Sequence, residues 1–316
     1  RKTQRIKGIG SLVTGVAQCV ERENPDLLLY VGDREEGIAT ALVGNYMDVL
    51  FAHLSGGDTV WGNADDPIRF SVSKLAHLHC CTAQDYADNL AKIGEENFRI
   101  FFTGNPAYVN IDNVPSLSKQ ELFQSVGLDK DKYIVLIKHP LSSELAQSND
   151  QMLVTLEVLK YFCEKNGFQT VCIPPNSDPG SFEMKGAINK FKNESWFIPV
   201  ETLPRLQFIN LMRNACALVG NSSMGILEAP HYKLPVVNIG NRQKGRLNAG
   251  NVEFVSYETD AIIGALEKAA FNEKYRQKIR NLDNPFGDSL APQNVREAIE
   301  SVDLNDKKWY VKQKLC

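Results

Sequence analysis

Apolar and polar positions along this chain switch repeatedly between two periods. Ile9, Leu12, Val13, Val16 and Val20 recur at helical spacing, Leu27 to Val31 is a short unbroken apolar run, Gly37 to Val43 returns to helical spacing, and Val49 to Ala52 reads again as a strand. The same pattern predicts a helix over 65–75, a strand over 77–82, a helix over 83–93 and a strand over 99–103 that stops at Gly104-Asn105-Pro106. Short apolar strands separated by helices need crossover connections, so the strands are expected to run parallel in an α/β layer structure.

From Pro106 to Ser118 the composition turns to Pro, Asn, Asp and Ser, the mark of a linker. Alternation then restarts with strands over 133–138, 170–173 and 196–200, helices over 151–163 and 203–213, and a strand over 235–239. A glycine-bearing loop over 240–250 and a helical tail from Asp260 follow. The economical architecture is two doubly wound, Rossmann-like domains facing across a cleft, over 1–112 and 113–290, with a tail over 291–316 packing back on the first.

Composition narrows the function. With 316 residues the chain can bury two cores, and a net charge of −3 with scattered Lys and Arg offers no basic patch for nucleic acid. A small-molecule ligand is the expected partner. Seven cysteines, without CxxC pairs or metal-ligand spacing, read as buried thiols in a reducing compartment, Cys19, Cys163, Cys172 and Cys216 by their apolar neighbours and Cys80-Cys81 as strand packing. No apolar run approaches the ~20 residues of a membrane span and no signal peptide is visible, so the expected location is cytoplasmic.

The stretch Leu218 to Glu228, LVGNSSMGILE, reads as a buried strand, a tight turn and a helix opening on serines. A helix start gathers unpaired N–H groups suited to a phosphate or diphosphate, with Ser222 and Ser223 as further donors and Gly220 and Gly225 permitting close approach. Glu228, about one and a half turns on, could accept both ribose hydroxyls of a nucleoside diphosphate. A plain serine-capped helix is the alternative reading.

Other strand ends carry candidate chemistry. Asp33 and Arg34 follow the first apolar run, where Asp33 is either a base or sugar-hydroxyl acceptor, or an N-cap carboxylate paired with its neighbour. His53-Leu54-Ser55-Gly56-Gly57-Asp58 follows the next strand, its glycines implying backbone close to a ligand or a tight turn. Asp65 and Asp66 open a helix that continues through Arg69; they read as a cap, or as an acid/base pair if they face a cleft. His139, before a proline at a strand mouth, can neutralise or protonate a leaving group or be structural. His77 and His79 are expected to face packing and surface, and Gly8-Ile9-Gly10 lacks the context of a dinucleotide site.

Seven ordered motifs carry a resemblance: GDRE at 32–35, HLSGGD at 53–58, DDPIR at 65–69, KHP at 138–140, PNSDPGS at 175–181, GNSSMGILE at 220–228 and GNRQKGR at 240–246. The chain resembles the UDP-N-acetylglucosamine 2-epimerases, hydrolysing branch. The resemblance implies two domains like those of GT-B nucleotide-sugar glycosyltransferases, with UDP held mainly by the second. It places Ser222, Ser223 and Arg242 on the diphosphate, Glu228 on the ribose, Asn176 near the uridine and His139 by the leaving phosphate. Asp33, Asp58, Asp65 and Asp66 become acid/base candidates, with Arg34 and Arg69 as charge partners. A base would remove the C2 proton of the sugar as UDP leaves C1, and water would add to the glycal to give the free 2-epimer, such as N-acetylmannosamine. The resemblance implies no nicotinamide, no metal, and a homodimer or homotetramer.

Two departures qualify it. The family carries Glu where this chain has Ser55, and a hydroxyl is too weak a base to replace it; the sugar could then be a diacetylated bacillosamine nucleotide. Family members also begin with a βα unit that this chain lacks, so a truncated start with an open sheet edge and uncovered apolar surface is expected. A UDP-sugar glycosyltransferase and a non-catalytic UDP-sugar-binding protein remain the alternatives.

Overall fold

The computed structural model describes residues 2–59 and 65–312; the side chains of Lys2, Thr3, Arg5, Asp65 and Asp66 lie outside the described set. Contacts divide the chain into two compact units, one of residues up to 109 together with 285 onward, the other of 110–284.

The first unit runs α1 (Lys2–Glu23), β1 (Leu27–Val31), α2 (Glu35–Tyr46), β2 (Leu50–Leu54), α3 (Asp65–Leu75), β3 (Leu78–Cys81), α4 (Gln84–Lys92) and β4 (Ile100–Phe102). Its four strands pair in parallel in the order β1-β2-β3-β4. Phe51 packs with Ala41 of α2, Val72 of α3 and Ala76 just past α3 on one face. On the other face Leu50, Ala52, Leu54, Leu78 and Cys80 pack with Val295, Ala298 and Trp309 from the end of the chain. β1 is an edge strand, and Leu29 and Val31 on it are exposed.

The second unit contains α5 (Ala107–Asp112), which begins at the boundary, then α6 (Lys119–Val126), β5 (Tyr133–Ile137), α7 (Ser148–Asn166), β6 (Gln169–Ile173), α8 (Ser181–Asn189), β7 (Phe197–Pro199), α9 (Arg205–Asn214) and β8 (Ala217–Gly220). It continues with α10 (Met224–Leu227), β9 (Val236–Ile239), β10 (Val252–Val255), α11 (Thr259–Phe271) and α12 (Glu273–Arg280), while α13 (Ala291–Glu300) returns to the first unit. Its six parallel strands have the order β10-β9-β8-β5-β6-β7. Central strands β5, β8 and β9 are buried on both faces, which is why they read as unbroken apolar runs rather than as alternating ones.

The expected linker over 106–118 contains a helix, α5, and is followed at once by another, α6. Ser118 accepts the Glu121 amide while Glu121 returns to the Ser118 amide, a reciprocal cap, and Gly127 closes α6 in the left-handed region. α8 and β10 are further elements that the apolar pattern left as loop. Cys163 and Cys172 are buried, but Cys19 is exposed and Cys216 partly so, a correction to the buried-thiol expectation: Cys19 lies on the outer side of the mostly exposed α1.

Candidate functional site

In the second unit the strand order reverses between β5 and β8, because β6 and β7 extend the sheet to one side and β9 and β10 to the other. Ligand crevices in open α/β sheets form outside the carboxyl ends of strands at such a reversal. There Ile137 is in register with Gly220, and the strands approach so closely that a Cβ on Gly220 would stand 2.0 Å from the Ile137 carbonyl oxygen. Beyond them Asn221 ties the two ends together. Its Oδ1 accepts the His139 amide at 2.7 Å and its Nδ2 donates to the His139 carbonyl at 2.9 Å.

The turn that follows differs from the expected serine-led helix. α10 is a single turn of four residues, too short for a sizeable dipole, and Ser223 at its start makes no capping bond. The Ser222 hydroxyl instead accepts the Met224 amide at 3.3 Å. Gly225 is packed on its side-chain face: a Cβ there would lie 2.9 Å from Val236 Cγ1, so its smallness serves packing of the turn on β9. Glu228 closes α10, and burial raises its carboxyl above the ordinary range while Arg205, at the start of α9, pulls it back.

His139 is well defined chemically. Its Nδ1 accepts the Asn176 amide at 3.3 Å, which leaves the ring proton on Nε2. Burial, reinforced by the neighbouring Arg242 guanidinium, lowers its pKa to about 4, so the ring is neutral at pH 7 and offers a hydrogen bond rather than a charge. Asn176 is steadied by Asp178, with bonds of 2.5 and 3.2 Å. Arg242 and Gln243, from the loop after β9, both donate to the Asn221 carbonyl, at 3.0 and 3.1 Å, and Arg246 donates to Gln243 at 2.8 Å. The structure thus brings His139, Asn176, Ser222 and Arg242 to one set of strand ends, with Asn221 at its centre.

In the first unit Asp33 does not pair with Arg34 and does not cap α2. Arg34 occupies the N-cap position without a side-chain bond and lies 3.8 Å from Glu36. Asp33 is bound by the nearly buried Arg69 of α3, which also donates to the Asp58 carbonyl. Asp58 is itself buried. His53, fully buried on β2, donates from Nε2 to the Gly32 carbonyl at 2.8 Å and so accepts the Ser73 hydroxyl at Nδ1, at 3.0 Å. That bond fixes the left-handed Gly32 turn that presents Asp33. Ser55 has a φ of +70°, a left-handed conformation that non-glycine residues adopt at a cost of about 1–2 kcal/mol. Gly57 fits a tight turn: a Cβ would meet the Tyr86 carbonyl oxygen at 2.2 Å. Asp65 and Asp66 open α3, and their carboxyls fall outside the described residues.

His77 and His79 are both buried, correcting the expectation of a surface face: His77 Nδ1 accepts the Phe51 amide and His79 Nε2 meets Glu95 at 3.0 Å. Among the described residues no three His, Cys, Asp or Glu are placed to hold a metal ion, and no helix is long and apolar enough to cross a membrane. Sequence reasoning missed Asn221, Gln243, Arg205 and the positioning role of His53. Asn221, Gln243 and His53 did stand inside recognised motifs.

A family model described as UDP-N-acetylglucosamine 2-epimerase matches residues 1–300. The hydrolysing UDP-N,N'-diacetylbacillosamine 2-epimerase of Legionella pneumophila is 30% identical over 302 residues, 95% of this chain and 78% of the relative. The hydrolysing GDP/UDP-N,N'-diacetylbacillosamine 2-epimerase of Campylobacter jejuni is 31% identical, covering 86% of this chain and 70% of its own. The crystal structure of the UDP-GlcNAc 2-epimerase from Neisseria meningitidis bound to UDP-GlcNAc superposes with a TM-score of 0.80 at 20% identity, over 93% of this chain and 81% of that one. At that identity the superposition speaks for the α/β fold alone.

Proposed function

Because the chain belongs to the UDP-N-acetylglucosamine 2-epimerase family, we propose that it is a hydrolysing UDP-sugar 2-epimerase, which splits a 2-acetamido UDP-sugar into UDP and the free 2-epimer. The observation that carries the reading is the crevice end of β5 and β8, where Asn221 gathers a neutral, Nε2-protonated His139 and the Arg242 guanidinium. A cation and a neutral donor at one point suit a diphosphate.

On this reading the second unit holds UDP: Ser222, Ser223 and Arg242 at the diphosphate, Glu228 at the ribose, Asn176 toward the uridine. Asp33, oriented by Arg69, removes the C2 proton while the C1–O bond to UDP breaks, with His139 donating to the departing phosphate. The elimination gives a glycal; water then adds at C1 and a proton returns to C2 on the opposite face. Asp58, Asp65 and Asp66 are the further acid candidates, because removal and return occur on opposite faces of one small ring. Two relatives about 30% identical act on diacetylbacillosamine nucleotides and a structural neighbour binds UDP-GlcNAc, so these two substrates head the assay.

The test is proton NMR of the full-length protein with each UDP-sugar in deuterated water. Deuterium at C2 of an inverted free sugar, with UDP released, is the expected result. No UDP from any 2-acetamido UDP-sugar would overturn the reading, and release only when an acceptor is added would make the protein a glycosyltransferase. Ser55 favours a second reading, UDP-sugar binding without turnover. Asp33→Asn separates the two: an enzyme loses about 10²–10⁴-fold in kcat while keeping its UDP affinity.

A further inference from the structure

Lys138 stands at the end of β5, between the strand residue in register with Gly220 and His139, and it is fully buried. Its ammonium donates to the Tyr257 hydroxyl at 3.0 Å and lies 4.5 Å from the centre of that ring. Tyr257, just past β10, packs in turn on Gly240, where a Cβ would stand 2.4 Å from the phenol oxygen; Gly240 has a φ of +86° and opens the loop that carries Arg242. From the other side the loop is held by Asn241, which donates to Glu144 at 3.0 Å, while Gln151 fixes the second Glu144 oxygen at 2.7 Å.

A lysine is an expensive choice here. Burial lowers its pKa to about 7, with Glu144 only partly restoring it, and a methionine of similar length would fill the space without desolvating a charge. The contact therefore serves something other than stability. We propose that Lys138 is a positioning residue for the diphosphate site, fixing the loop from Gly240 to Arg242 through Tyr257 so that Arg242 is held against Asn221. The proposal deepens the nucleotide reading above and rests on it.

The test compares full-length wild type, K138M, Y257F and the double variant by UDP calorimetry, thermal melting and amide exchange over residues 240–246. K138M should bind UDP about tenfold more weakly and exchange faster over 240–246, with its melting temperature unchanged or raised. Y257F should weaken UDP binding about threefold, and the double variant should bind no more weakly than K138M because both changes break one contact. Wild-type affinity and wild-type exchange in K138M would overturn the proposal, as would additive losses or a fall in melting temperature that tracks the loss of affinity. If K138M does not fold, Y257F decides by the same measurements, since it deletes one oxygen and keeps the ring. A wild-type protein that binds no UDP overturns the nucleotide reading instead, and the exchange data still decide whether Lys138 holds the loop.

Discussion

The Glu95 cluster of the first unit and the Asn221 crevice of the second both bury ionisable groups, yet in the first the charged groups meet one another or backbone carbonyls and the buried ring atom left over is His79 Nδ1. Glu95 is bound by Lys74 at 2.6 Å, Lys312 at 2.6 Å and His79 at 3.0 Å. Lys312 also donates to the carbonyls of Ser73, Lys74 and Ala76 at the end of α3, at 3.3, 2.8 and 2.7 Å. Arg99, fully buried nearby, donates to His77, Trp309 and Val311 carbonyls at 3.1, 2.9 and 2.9 Å. In the crevice, by contrast, His139 Nε2 and the Ser223 hydroxyl have no partner among the described residues. Buried charge by itself does not mark a site: the Glu95 cluster is accounted for by its own ion pairs and carbonyl contacts.

The comparison predicts opposite consequences for mutation. Removing the hub leaves the half-buried Lys74 and Lys312 without their carboxylate and the buried His79 without its acceptor, so Glu95→Ala should destabilise the fold by roughly 1–3 kcal/mol while leaving UDP affinity per folded molecule unchanged. Urea unfolding followed by calorimetry on the folded fraction checks both halves. A stable Glu95→Ala protein would mean that the cluster is not the clamp on the chain end that its bonds describe.

Acid should discriminate between the units next most strongly. Burial holds the pKa of His53 and His77 at about 4 and that of His79 below its ordinary value. An unfolded histidine takes up its proton near pH 6.5. Between those values the unfolded chain binds more protons than the folded one, so stability falls as pH drops from about 6.5 toward 4, by a few kcal/mol in order of magnitude. At Glu95 burial works to raise the pKa, but bonds from His79, Lys312 and Lys74 outweigh it and hold the carboxyl at about 2; its contribution is intact above the unfolded value near 4.3 and fades only below it. Three depressed histidines lie in the first unit and His139 in the second. Amide exchange at pH 5 should therefore show the first unit opening before the second.

In the crevice, Asn221→Ala removes both bonds to His139 and should weaken UDP binding by about 1–3 kcal/mol, roughly five- to 150-fold. Calorimetry with UDP is the direct measurement. An unchanged dissociation constant would show that the β5 and β8 ends keep their spacing through the backbone alone.

What the sequence made legible follows from which forces are local. The alternation of apolar runs located most strands to within a residue or two, since a strand buried on both faces cannot be polar. α6 is not legible in the apolar pattern, although its Ser118-to-Glu121 cap and Gly127 mark both its ends, because the proline and serine just before it read as a linker. Site residues whose partners lie close in sequence or at strand mouths could be named: Asp33, His139, Ser222 and Arg242. Arg69 is named among the charge partners, but its pairing with Asp33 is not legible, because it lies 36 residues away while Arg34 is adjacent. Asn221 was passed over for the same reason. Its work is done on His139, 82 residues away.

Gly225 gives the finest test of the contrast between packing and binding within one turn. A glycine in such a motif suggests backbone left bare for a phosphate, but here the space where a side chain would go is already filled by Val236, with Cγ1 2.9 Å from the position of a Cβ. The Gly225 carbonyl faces inward too, accepting from the buried Asn251 at 3.3 Å. Gly225→Ala must push against a branched side chain on a buried strand, so about 1 kcal/mol of stability should be lost while UDP affinity stays within twofold of the parent, roughly the 0.4 kcal/mol that calorimetry resolves. If affinity fell tenfold with the melting temperature unmoved, the bare backbone of Gly225 would belong to the ligand after all, and the crevice would extend along α10 rather than end at Ser223.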